Sequence, residues 1–180
     1  AQKAEEIYHK LPSVEQQAAE QVFLSWVQAG ENTGGTRRRA TMVELREENR
    51  ELVKKLADAR LVVTSREESS AQEMVEVAHE ALILHWQRFQ GWLNADREFL
   101  LWRQRLRHDL ENWQRTREDD GALLRGTRLL EAERWLTDRA ESLSPGEIKF
   151  IQASLKLRER ERLTHQRRQR NKILALTGGL

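Results

Sequence analysis

The chain has 180 residues, with 31 Lys and Arg against 29 Asp and Glu, and the resulting net charge of +2 gives no global reason to expect a nucleic-acid partner. It contains no cysteine, which excludes a disulfide framework, a cysteine-ligated metal site and a thiol nucleophile, and which fits a cytoplasmic protein. A mean hydropathy of −0.78 with 33% charged residues leaves room for one lean core or two small ones.

The opening Ala1-Gln2-Lys3-Ala4-Glu5-Glu6-Ile7-Tyr8 has no basic region followed by an apolar one, so it is not a signal peptide. The absent initiator methionine is what a piece of a longer protein would show. After Pro12, with Ser13 as N-cap, Val14 to Ala29 carries Ala18, Ala19, Val22, Phe23, Trp26 and Val27 at helical spacing and predicts an amphipathic core helix. Gly30 to Thr36 reads as a loop, and Arg37 to Thr41 as a short strand. Thr41 followed by Glu44 is a capping box that opens a second helix. Leu52, Val53, Leu56 and Ala59 form the stripe of a third.

Leu61 to Thr64 and Met74 to Val77 are short, β-branched segments separated by a polar loop over 65–73. Two strands after three helices make the winged-helix pattern. The second half is helical. Ala81 to Leu93 predicts one helix, and Phe99, Trp102, Leu106, Leu110 and Trp113 lie on one stripe of the next, about 23 residues and about 35 Å long, with Asp96 at its cap and Gly121 as its break. A further helix carries Leu123, Leu124, Leu129, Leu130, Ala132, Trp135 and Leu136. Ser144-Pro145, with Glu147 in the first turn, opens the last, whose contact face is Ile148, Ile151 and Leu155. Short connections between these helices predict a small antiparallel bundle. The six tryptophans fall mostly on the apolar stripes, where packing is their expected role.

Charge is concentrated near the end of the chain. Lys156, Arg158, Arg160, Arg162, Arg167, Arg168, Arg170 and Lys172 are opposed only by Glu159 and Glu161, and Ile173-Leu174-Ala175-Leu176 follows at once. This is the pattern of a cytoplasmic flank facing an anionic membrane, with a tether beyond residue 180, although the apolar run is far short of the about 20 residues needed to span. A solvated helix tail or a linker to a further domain is the alternative.

Catalytic patterns are missing. His79-Glu80 lacks the second histidine of a zinc protease, since position 83 is isoleucine. His85 falls about 120° around a helix from His79, which disfavours a shared metal. Gly30 to Thr36 and Gly121 to Thr127 echo the spacing of a phosphate-binding loop, but each has threonine where that loop needs lysine. The third helix, Glu47 to Arg60, sets Arg50, Lys54, Lys55 and Arg60 against Glu47, Glu48, Glu51 and Asp58. DNA binding through it is therefore disfavoured, and only Arg37 to Arg39 cluster positive charge nearby.

Five segments, in this order, carry a family resemblance. They are Thr36-Arg37-Arg38-Arg39-Ala40, Ala59-Arg60-Leu61-Val62-Val63, the stretch from Val75 through His79-Glu80 to Trp86, the stretch from Gly91-Trp92 to Leu100, and Leu124-Arg125-Gly126 through Ala132. The chain resembles the novel STAND-type NTPases, bacterial signalling ATPases related to NLR and apoptosome proteins. That resemblance implies a non-catalytic segment that follows the ATPase core and precedes a sensor array, such as WD repeats, or a membrane segment. It implies a winged-helix regulatory domain over 1–94, a helical extension over 95–155 and a basic linker over 156–180.

It further implies that the segment binds no cofactor alone, that ADP or ATP with Mg belongs to the parent protein, and that the partners are the ATPase core of the same chain and copies of itself. Val77-Ala78-His79-Glu80 looks like the Met-His-Asp motif of the NLR relatives, whose histidine contacts the β-phosphate of ADP. Here Ala78 replaces Met and Glu80 replaces Asp. His79 and Glu80 are thus candidate nucleotide sensors. The competing role for His79 is to cap its helix or satisfy a buried carbonyl, with Glu80 favouring the helix N-terminus.

Overall fold

The computed structural model describes residues 1–30, 34–67 and 71–177. It is mainly helical, with one two-stranded and one three-stranded antiparallel sheet among the described residues. The chain forms two compact units, Ala1–Arg107 and His108–Leu180, and the division falls inside a single helix.

In the first unit, α1 (Gln2–Lys10) and α2 (Ser13–Ser25) are separated by Leu11 and Pro12. Helix α1 is not expected from the sequence, because only Ala4 of it is fully buried and its apolar signal is weak. Ser13 is the first helical residue and makes no capping bond. Helix α2 stops at Ser25, short of the expected Ala29, because Trp26 leaves the helical region at φ −100° and ψ 14°. Val27–Ala29 (β1) then pairs with Gly35–Arg37 (β2), in the register Val27 to Arg37 and Ala29 to Gly35. A Cβ on Gly35 would lie 2.1 Å from Val27 Cγ1, so this close approach needs glycine. The phosphate-loop echo at Gly30 to Thr36 lies partly outside the described residues, as does the centre of the polar loop over 65–73.

Ala40–Thr41 (β3) leads into the expected capping box, with the Thr41 amide donating to Glu44 Oε1 at 3.0 Å. The box heads only a 3-10 turn, Met42–Glu44, and a second turn spans Glu47–Asn49, in place of the predicted second helix. Leu45, between them, is extended and buried, and seating that side chain breaks the helical path. Helix α3 (Arg50–Asp58) buries Leu52, Val53 and Leu56. It ends in a Schellman arrangement: Arg60 is left-handed at φ 60°, its amide donates to Ala57 O, and the Leu61 amide donates to Leu56 O at 2.9 Å. Val62–Arg66 (β4) and Glu73–Val77 (β5) complete the sheet in the order β3-β5-β4.

The predicted helix over 81–93 is two helices, α4 (Glu80–His85) and α5 (Gln87–Ala95), because Trp86 is extended at φ −87° and ψ 102°. Its indole is 2% exposed and packs on Phe23, with ring centroids 5.3 Å apart, and on Trp92, also at 5.3 Å. These rings, with Phe89 and Trp26, form the centre of the first core.

Helix α6 (Arg97–Arg115) buries Phe99, Trp102, Leu106 and Trp113, while Leu110 is half-buried. It ends before the expected Gly121: Arg117 and Glu118 turn left-handed, and the Glu118 amide donates to Trp113 O at 2.9 Å. In the second unit, α7 (Gly126–Arg139) packs on α8 (Pro145–Thr177). Leu123 and Leu124 are buried ahead of α7 rather than on it. Ser144 and Glu147 cap α8 reciprocally, with the Ser144 amide donating to Glu147 Oε2 at 2.7 Å and the Glu147 amide donating to Ser144 Oγ at 3.2 Å. Phe150 meets Trp113 at 5.3 Å, and Ser154 Oγ accepts from the Leu124 amide at 3.1 Å. From Arg158 to Ile173, α8 is exposed on every side.

Candidate functional site

The corner from β5 into α4 is built from both ends. Val75 and Val77 point into the core, Val77 pairs with Val62, and the Ala78 amide donates to Leu61 O at 3.0 Å. The Ala59–Val63 and Val75–Trp86 segments, well separated in sequence, are thus joined. His79 follows at the N-cap position, extended at φ −138° and ψ 131°. Its carbonyl accepts from the Leu82 amide at 2.9 Å, but its imidazole makes no capping bond.

The side chains of His79 and Glu80 are exposed and have no hydrogen-bond or ion-pair partner among the described residues. The capping role for His79 is therefore not what holds that side chain. Leu82 and Ile83 anchor α4 in the core, whereas Leu84 is 47% exposed, with Gly34 of the β2 region beside it. Sequence periodicity cannot find the exposed Leu84, since it sits in an apolar run. His85 ends α4 and is exposed, and no cluster of three or more metal-ligating side chains exists among the described residues.

A second polar cluster was invisible in the sequence. Glu5 of α1 accepts from the Trp86 indole Nε1 at 2.6 Å and from Arg88 Nη2 at 2.5 Å and Nε at 3.1 Å, with His9 Nε2 at 3.0 Å. The Arg88 guanidinium lies 4.4 Å over the Tyr8 ring. Hydrogen bonds from Arg88, and then from Trp86, hold the Glu5 pKa down at about 2. This fastening fixes α1 to the residues that follow α4.

The cations of α3 are paired with acids. Lys54 meets Glu51 at 2.7 Å, Lys55 meets Glu15 at 2.5 Å and Arg50 meets Glu47 at 3.2 Å. Of the triplet before β3, Arg38 donates to Ser25 O and Glu44, and Arg39 meets Glu76 at 3.5 Å. Only Arg37 of the three has no partner among the described residues. Little free positive charge remains for a phosphate backbone.

The basic segment is divided in the same way. Arg158 makes a two-pronged pair with Glu133 at 2.8 and 2.9 Å, Arg160 meets Asp120 at 3.0 Å, and Arg162 meets Glu159 at 2.9 Å. Lys156, Arg167, Arg168, Arg170 and Lys172 are exposed without a side-chain partner among the described residues. None of the described helices is long and apolar enough to cross a membrane.

A family model described as Novel STAND NTPase 1 matches residues 1–121. The chain belongs to that family. The match covers the first four of the five segments quoted above, and the fifth, from Leu124, lies past its end. No curated protein and no solved structure matches the chain. Membership of the Novel STAND NTPase 1 family gives the β5–α4 corner its context, an NTPase-associated region.

Proposed function

We propose that this part of a Novel STAND NTPase 1 protein is a non-catalytic regulatory segment that couples the ADP or ATP state of an adjacent nucleotide-binding core to rearrangement or assembly. In this reading residues 1–94 are a winged-helix domain, with α2, the 3-10 turns and α3 as its helical part and β3-β5-β4 as its sheet. The extension over 95–155 carries motion onward. Hydrolysis, with its Mg, belongs to the core, in the cytoplasm.

The observation that carries the reading is the free, exposed His79-Glu80 pair at the end of a fixed strand, with the exposed Leu84 one helical turn after Glu80. An imidazole N–H donates well to a diphosphate oxygen, and an exposed leucine on the same short helix suits docking on a protein face. The paired cations of α3 favour this role over DNA binding.

The test is ADP retention by the full-length NTPase, wild type against His79→Ala. Loss of one charge-assisted hydrogen bond should speed ADP release about tenfold or more and raise signalling. Unchanged ADP retention in a folded variant would make the histidine a surface residue without this function.

A further inference from the structure

Beyond Lys156, the other seven cations near the end of the chain are two populations. Arg158, Arg160 and Arg162 are committed to Glu133, Asp120 and Glu159. Arg167, Arg168, Arg170 and Lys172 lie where α8 has left the rest of its unit behind, and no acid among the described residues answers them. At about 100° per residue these four spread over about 200° of the helix circumference within about 8 Å of its length. Like charges so crowded on an uncovered helix are unfavourable unless something anionic lies against them.

We propose that Arg167, Arg168, Arg170 and Lys172 form a contact for the surface of an anionic phospholipid bilayer. Charge alone would also suit a nucleic acid. The choice rests on Ile173, which is 61% exposed directly after the last cation and begins the apolar sequence Ile173-Leu174-Ala175-Leu176. A bilayer offers both parts of this pattern a place, headgroup phosphates for the cations and the acyl boundary for the isoleucine. A duplex offers nothing to the apolar end.

The experiment is co-sedimentation of the whole chain with vesicles of phosphatidylcholine alone and of phosphatidylcholine mixed equally with phosphatidylglycerol. The variants are R167Q/R168Q/R170Q/K172Q, R158Q/R160Q/R162Q and Ile173→Ser, with helicity followed by circular dichroism. The wild type should bind only the anionic vesicles, and more weakly as salt is raised. At roughly fivefold per cation, the distal variant should lose at least about a hundredfold in binding, and the proximal one less than about tenfold. Ile173→Ser should weaken the binding that survives at high salt. Equal losses from both sets, no binding to anionic vesicles, or tighter binding to duplex DNA than to vesicles would each overturn the proposal.

Discussion

Glu5 shows how much one carboxylate can organise. It receives an indole N–H and a guanidinium from residues more than eighty positions away, and neither partner is legible in a sequence where Glu5 looks like one more acid on a polar helix. Glu5→Gln should destabilise the first unit by about 1 kcal/mol, since a third of the side chain faces water and screening reduces the value of a charged pair. The sign with pH is fixed by the lowered pKa. A carboxyl depressed from 4.5 to about 2 stabilises the fold above its ordinary pKa, and that contribution fades as pH falls between these values. Thermal unfolding of both proteins from pH 6 down to 2 should show the gap closing through this window.

His79 stands out as a candidate through the resemblance of Val77-Ala78-His79-Glu80 to the Met-His-Asp motif, at a place where β-alternation meets a helix. Its freedom from capping was not legible, because the capping bond depends on an imidazole orientation that spacing does not encode.

At the scale of elements, end signals read well where they were local. The Ser144-Pro145 start of α8 and the Thr41–Glu44 box are both present, yet the second heads a single 3-10 turn because burial of Leu45 overrides helix propagation. The break at Trp86 was hidden for a similar reason, since a tryptophan in an apolar run looks helical until its indole is drawn toward Glu5. Left-handed residues that are not glycine escaped as well. Arg60 ends α3 at φ 60°, and glycine there removes the Cβ strain while keeping the Schellman bonds. We expect Arg60→Gly to stabilise the first unit by up to about 1 kcal/mol, read from the urea midpoint at unchanged m.

For the whole molecule, composition pointed to a lean core or two small ones, and the chain has two units, each with its own buried aromatic residues. The mainly helical class with a small β element was readable from periodicity. The third member of the order β3-β5-β4, Ala40–Thr41, falls inside the short strand expected over Arg37 to Thr41, whereas the pairing of Val27–Ala29 with Gly35–Arg37 was hidden, since Val27–Ala29 reads as the end of a helix. The separate aromatic clusters lead to a test. Phe150→Ala, which removes a fully buried ring, should cost about 3–5 kcal/mol in the second unit. Hydrogen exchange should then quicken in α7 and the first turns of α8, while the amides of α2 and β5 keep their protection.

The corner that carries His79 has a mechanical consequence. Two residues before it, a fully buried valine is paired to its neighbouring strand; one residue before it, an amide is bonded to Leu61; and seven residues after it, the Trp86 indole is clamped. There is almost no slack on either side. In the proposed role, a pull on this imidazole would meet short, bonded attachments on both sides and would pass toward the end of α3 on one and α1 on the other, with the histidine as the tip of a stiff lever.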